Sequence, residues 1–160
     1  MKQTFFLTVK GSKQGTFEGE SKKSKTKGLE LLDYSFGVSV PRSAGSGQAT
    51  GKRVYEPLIV SKEVGPASIQ FFQALVTGEI LTDVELTIYK INRNGKDTAY
   101  FRIKLTNALV SEITHEPGVE FSGDLADSSE VETVSFTFQK IEMENLAANT
   151  SAMDDLSGKA

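Results

Sequence analysis

The sequence predicts a mainly β protein, a small antiparallel β-barrel or sandwich with one flanking α-helix. Three observations carry this reading. About seven segments alternate apolar and polar residues with the period of two that puts one face of a strand into a core. Asn94-Gly95 is a strong hairpin signal, since both residues accept positive φ. Only one stretch, between Gly65 and Gly78, has helical spacing. Many antiparallel strands must avoid exposed edges, and closure into a barrel is one way to do so. A chain of 160 residues suits a single domain of this kind.

The elements follow in order. Gln3–Lys10 reads as a strand with Phe5, Leu7 and Val9 on one face, and Phe6 breaks the pattern so that both faces are partly covered. Gly11–Gly28 is a polar loop rich in Gly, Lys and Ser. In Leu29–Pro41, Leu32, Tyr34, Phe36 and Val38 alternate with Asp33, Ser35, Gly37 and Ser39, and Pro41 ends the hydrogen bonding. Arg42–Arg53 holds no large apolar residue and reads as a long flexible loop. A strand over Val54–Lys62 carries Pro57 at an edge or bulge. In the helix, Pro66 sits near the first turn, where its missing N–H costs nothing, and Gly78 supplies the stop. Ile69, Phe72, Leu75 and Val76 form its apolar stripe and are the expected core face. Strands then follow over Ile80–Ile91, Thr98–Thr106, Ala108–Thr114 and Val131–Glu144, the last with a phase change near Lys140 that suggests a bulge. Gly118–Glu130 reads as an acidic loop. Residues 1–144 form the expected domain, and 145–160, small and acidic, a flexible C-terminal tail.

Composition narrows the chemistry. Without cysteine there is no disulfide, Cys-bound zinc, iron–sulfur cluster or thiol nucleophile. The only histidine, His115, has no second histidine with which to bind metal. The glycines at 45, 47 and 51 do not have phosphate-loop spacing, and the segment leads into a strand rather than a helix. The Asp154-Asp155 pair reads as solvated. The basic run Lys22–Lys27 lacks aromatics for base stacking in a chain of net charge −3, so nucleic acid is not an expected partner. No cofactor or metal is implied. The N-terminus lacks the apolar run of a secretory signal, and no segment is long enough to insert in a membrane. The expectation is a soluble protein made in the cytosol. Charge is unevenly placed. Lys10–Lys27 has six Lys against Glu18 and Glu20, whereas Val110–Ala160 has eleven acids against Lys140 and Lys159. Oppositely charged surfaces on one protomer favour head-to-tail contact between copies.

An ordered set of segments resembles the Hcp proteins, tube subunits of type VI secretion. They are Phe5–Gly11, Gly19–Ser21, Asp33–Pro41, Thr50–Arg53 with Pro57–Glu63, Ala67–Glu79, Ile103–Asn107 and Glu132–Glu142. The chain departs from that family at Gly65-Pro66 and after Glu144. The resemblance implies a β-barrel with one helix at its side. It implies a homohexameric ring, and rings stacked into a hollow tube inside a contractile sheath. A VgrG-type spike and secreted effectors would be further partners, and the tube would be expelled with them and without a signal peptide. It implies a structural role and no catalysis. A tail-tube subunit of a phage-derived or other contractile injection machine is the alternative reading. Under the first, Pro41, Arg42, Ser43, Gly47, Gln48, Thr50, Lys52 and Arg53 are the expected contact loop between rings, and Asp33, Ser35 and Ser39 are candidates to line the lumen.

Overall fold

The computed structural model describes residues 3–18, 28–48, 51–117 and 130–156. The strands are β1 (Gln3–Gly11), β2 (Gly15–Thr16), β3 (Leu29–Leu31), β4 (Asp33–Ser35), β5 (Val38–Ser39), β6 (Val54–Tyr55) and β7 (Leu58–Glu63). Helix α1 (Pro66–Thr77) follows, then β8 (Leu81–Ile91), β9 (Asp97–Pro117), β10 (Glu130–Thr137), β11 (Lys140–Asn145) and β12 (Thr150–Asp155). All pairings are antiparallel, and the main ladder runs β2-β1-β8-β9-β10-β7-β4, with β5 and β6 forming a separate small sheet.

The two ends of this ladder are bridged by one bent segment. β3 pairs with β1, β4 pairs with β7, and Leu32 between them is the corner. The expected single extended region over 29–41 is thus three short strands. Leu29 and Leu31 face the core, while Leu32 and Val38, placed on the apolar face by alternation, are half exposed. Gly28, at φ 106°, enters β3 so close to β1 that a Cβ there would lie 2.5 Å from the Leu7 carbonyl oxygen, so only glycine fits.

The two strands expected at Thr98–Thr106 and Ala108–Thr114 are one continuous strand, β9. Asn107 lies between them at φ 52°, a backbone state asparagine tolerates. It shifts the buried phase from Ile103 and Leu105 to Ala108 and Val110. The first half of β9 pairs with β8 and β11, the second with β10. The expected bulge near Lys140 is a break between β10 and β11, at which the chain passes from one partner half of β9 to the other. At Asn94-Gly95 only Gly95 has positive φ, so the hairpin is wider than a two-residue turn. Asn92 Oδ1 accepts the N–H groups of Asn94 and Lys96 and closes it. The tail expected at 145–160 is not a loose extension over its described part. Residues 150–155 form β12, which pairs with β11 in full register.

Leu7, Val9, Leu58, Val60, Leu86 and Leu105 are buried at the centre of the core. Helix α1 covers the barrel with Ala67, Phe71 and Ala74, and Phe71 packs edge-on between Phe17 and Phe136 with centroids 5.0 and 5.8 Å away. This corrects the expected helix face. Ile69, Phe72 and Val76 are 73%, 58% and 60% exposed, and only Leu75 of that set is half-buried against the core. The small side chains of Ala67 and Ala74 let the helix approach closely, so one large ring suffices to fill the contact.

The helix is fastened at its start by a buried ionic cluster. The Ser68 hydroxyl accepts the Gly65 N–H at 2.9 Å and donates to Glu132 Oε2 at 2.6 Å. Lys62 Nζ donates to the same oxygen at 3.1 Å, and His115 Nε2 lies 3.1 Å from Glu132 Oε1. Burial pushes the Glu132 carboxyl up, but the bonds from Ser68 and His115 and the Lys62 charge outweigh it and hold the group below the ordinary carboxylate range. Removing one member strands a buried charge. Glu132→Ala is therefore expected to lower stability by about 3–5 kcal/mol, measured by urea unfolding. The depressed carboxyl gives a contribution that is complete above the unfolded Glu value of ~4.3 and is lost as pH falls through the folded value. Melting temperature should accordingly drop below pH ~4 in the wild type, and Glu132→Gln, weaker at neutral pH, should show a shallower acid limb.

Candidate assembly surfaces

Four surfaces stand out on the barrel. The first is the 41–53 loop. Ser43 N–H donates to the Gln48 carbonyl at 2.7 Å, Gly47 N–H to the Ser43 carbonyl at 2.9 Å, and Arg42 Nη1 to the Gly47 carbonyl at 3.2 Å. These bonds close a small turn, so this part of the loop is more ordered than its composition suggests. Thr50 lies outside the described residues. Pro41, Arg42, Gly47, Gln48 and Lys52 are exposed, and Ser43 is half-buried.

Arg53 behaves differently. Its guanidinium forks onto Asp154 of β12, with Nη2 2.8 Å from Oδ1 and Nε on Oδ2, and Tyr55 donates its hydroxyl to Oδ2 at 2.7 Å. The bonds from Arg53 and Tyr55 hold the Asp154 carboxyl below its usual range. Burial, with the Asp154 bond adding to it, raises the Tyr55 phenol. Arg53 is thus engaged within its own chain and anchors the loop to β12, and Asp154 is not the solvated acid its tail position implied. Sequence reasoning missed this pair because the two residues are 101 positions apart.

Beside this anchor lies the second surface, an apolar groove of about 250 Å³ lined by Phe36, Val38, Tyr55, Ile141, Met143 and Ala152, with Met153 and Asp154 at its margin. The β11–β12 hairpin contributes Ile141, Met143, Ala152, Met153 and Asp154 to it, and the small β5–β6 sheet with the residue leading to it contributes Val38, Tyr55 and Phe36.

The third surface is the outer face of the sheet β4-β7-β10-β9. Register places Asp33, Ser61, Thr133 and Thr114 in one row across four strands, and Ser35, Ile59, Ser135 and Glu112 in the next. Asp33 and Ser35 are exposed on this polar face, as alternation required. Ser39 is not on it, because it belongs to β5 in the separate small sheet. The opposite sheet carries a charged recess of about 140 Å³, in which Arg102 reaches Glu85 at 3.1 Å and also bonds Glu144, with Lys104 and Glu142 beside them.

The fourth surface is the outer face of α1, with Ile69, Phe72 and Val76. The Gly11–Gly28 segment is described in part. Glu79, buried, accepts the N–H groups of Lys13 and Gln14 at 3.0 and 2.9 Å and pins the turn before β2 against the helix end. Among the described residues no group of three or more His, Asp or Glu is placed to hold a metal, and no helix is long and apolar enough to cross a membrane. His115 serves the Glu132 cluster.

Known proteins share this architecture. Residues 6–144 match the family model described as type VI secretion system effector, Hcp. The "Major exported protein" of Pseudomonas aeruginosa is 28% identical over 161 residues, covering 94% of this chain and 93% of that one. A crystal structure of an Hcp protein superposes with a TM-score of 0.85 at 25% identity, over 99% of this chain and 100% of that one. Hcp1 of E. coli EAEC 042 does so with a TM-score of 0.80 at 23% identity, over 96% and 98%. The family match covers nearly all of the barrel whose sheets and helix are described above, and the chain belongs to the Hcp family of type VI secretion, whose members are structural subunits of its tube.

Proposed function

We propose that six copies of this chain close into a ring and that rings stack into a hollow tube, expelled from the cell with a spike at its tip and with effectors in its lumen when a surrounding sheath contracts. The work of such a subunit is contact with its own copies and passage of cargo, not turnover of a substrate. Family membership and the exported relative support the secretory part of the reading.

The observation that carries the assembly part is helix α1. Its twelve residues, Pro66–Thr77, contain no charged side chain. One stripe (Ala67, Phe71, Ala74) is buried in the barrel, and the other (Ile69, Phe72, Val76) is exposed. A helix with an apolar stripe left exposed beside the one it buries, and with only Gln70, Gln73 and Thr77 as a polar side, suits cover on a second face, and a neighbour in a ring is a natural cover. The polar row of Asp33, Ser61 and Thr133, with Ser35 in the next, suits a water-filled lumen that must let folded cargo slide without adhering. The exposed Arg42 and Lys52 suit the ring-to-ring contact, with Arg53 holding their loop in place rather than reaching across.

Sedimentation and electron microscopy of the purified protein test this reading. Annular particles of six protomers are expected, and a species that stays monomeric at high concentration would refute it. Phe72→Glu should abolish the rings. Because the side chain faces solvent in the protomer, the same variant should keep its unfolding free energy to within about 0.5 kcal/mol. If Phe72 were instead a core residue, the variant would lose several kcal/mol.

A further inference from the structure

Among the described residues only two carboxylates are buried, Glu79 and Glu132, and both serve helix α1. Glu132 holds the start of the helix through Ser68, whose hydroxyl also accepts the Gly65 N–H. Glu79 stands just past the Gly78 stop, and its own N–H donates to the Ala74 carbonyl at 3.0 Å, which ties it to the last turn. Its Oε2 accepts the N–H groups of Lys13 and Gln14, and its Oε1 accepts the Gln14 side-chain amide at 3.2 Å. The Gln14 amide also donates to the Gln70 carbonyl of the helix at 3.0 Å. A Cβ on residue 11 would collide with Glu79 Oε2, so Gly11 is what admits the carboxylate.

Between these fastenings α1 is lightly held. It carries no charged side chain, and it buries Ala67, Ser68, Phe71 and Ala74, of which only Phe71 is large, with Leu75 half-buried beside them. Strand β8, by contrast, is paired along both edges, with β1 and with β9. Elements with few buried apolar contacts open first.

Both carboxylates are fastened in their ionised form. Lys62 faces Glu132 from β7 and His115 from β9, and Glu130 lies two residues away on the same strand. Lys13 is the charged group that faces Glu79, and α1 adds none. Burial pushes both carboxyls up, but the bonds from Ser68 and His115 to Glu132, and from Gln14 and Lys13 to Glu79, outweigh it and hold both below the ordinary range. A proton on Glu79 points a donor at donors, and a proton on Glu132 leaves Lys62 buried without its counter-charge. The folded values lie below the unfolded one of ~4.3, so the fastening is complete above that pH and is lost as pH falls through the folded values. Asp154 is also held below its usual range, but its partners Arg53 and Tyr55 lie outside the helix.

We propose that Glu79 and Glu132 form a two-ended acid clasp on α1, whose protonation frees the helix while the sheets stay paired. The freed helix takes with it the stripe of Ile69, Phe72 and Val76, so rings open in acid from within each protomer. That consequence rests on the ring reading; the clasp itself does not.

Hydrogen exchange read by mass spectrometry follows α1 and β8 in one sample. From about pH 7 to about pH 3, α1 should lose about tenfold or more in protection, corrected for intrinsic exchange rates, while β8 keeps its own. Sedimentation of the same samples should show rings giving way to smaller species as α1 opens. Glu79→Gln and Glu132→Gln should each weaken α1 protection at neutral pH and make its acid dependence shallower, and with both substitutions α1 exchange should no longer vary with pH. Loss of protection in α1 and β8 together, or wild-type acid dependence in the double variant, would overturn the clasp. Should the double variant not fold, the wild-type comparison of α1 with β8 decides alone. Rings that persist once α1 has opened would overturn its link to assembly. Failure of the unsubstituted chain to form rings at neutral pH would instead count against the ring reading, and α1 exchange would still decide the clasp.

Discussion

The structure depends on one strand being shared by both halves of its main ladder. β9 runs 21 residues, far beyond the usual strand length, and neither half is optional. Upstream of Asn107 it pairs with β8 on one edge and β11 on the other, and downstream it is the partner of β10. The positive φ at Asn107 is what lets the chain continue while its buried phase slips by one residue. A straight strand would carry Ala108 and Val110 out of the core and Leu109 into it. The Asn107 side chain adds a further tie, donating to Gln139 Oε1 at 2.9 Å, at the break where β10 gives way to β11. The bend in β9 and the break between β10 and β11 are therefore one feature seen on two adjacent segments. Both chains must turn the same corner, because each is hydrogen-bonded to the other on either side of it.

This explains which parts of the fold were legible in the sequence. The alternation of Ile80–Ile91 agrees with the burial of Val84, Leu86 and Ile88, because that strand stays in one sheet throughout. The Thr98–Thr106 and Ala108–Thr114 segments were each recognised, but their fusion was hidden by the phase slip, which reads like a loop when only periodicity is available. The 29–41 region failed for the opposite reason. Its alternation is unbroken, yet the chain turns at Leu32, so residues of one apparent face end in different environments. The helix shows the same limit. Overlapping stripes through Ile69, Phe72 and Val76 and through Ala67, Phe71 and Ala74 are both apolar, and weight of side chain favours the first. Close approach to a barrel favours the second, and only tertiary packing distinguishes them. β12 was missed because its sequence, Thr150–Asp155, has no apolar alternation. It is a strand through pairing with β11 and through the Arg53–Asp154 contact, neither of which leaves a local mark.

The polar features sort by depth. The Lys62–Glu132–Ser68 cluster is buried, and its members are fully partnered, as interior charges must be. It fastens α1 to β7 and β10 and leaves none of its charge for outside use. The Arg53–Asp154 and Arg102–Glu144 pairs are half exposed, where water screens them, and their value lies more in fixing geometry than in stability. The Arg53 pair in particular fixes the base of the 41–53 loop against β12, so that Arg42 and Lys52 are presented from an anchored frame. Anchoring a loop in this way reduces the entropy surrendered on any docking through it.

A subunit that must both close rings and stack them needs surfaces that do not compete. The apolar stripe of α1 and the apolar groove are made from different elements: one from the helix after β7, the other from β5, β6, β11 and β12. They share no residue, so occupancy of one leaves the other free. The polar outer face of β4, β7, β10 and β9 belongs to neither and remains available to face water. Specificity follows from chemistry as much as from shape. The helix stripe is uncharged and has no reason to prefer the cation-flanked groove over another apolar patch. A surface flanked by exposed cations such as Arg42 and Lys52 would repel its like and favour an acidic partner.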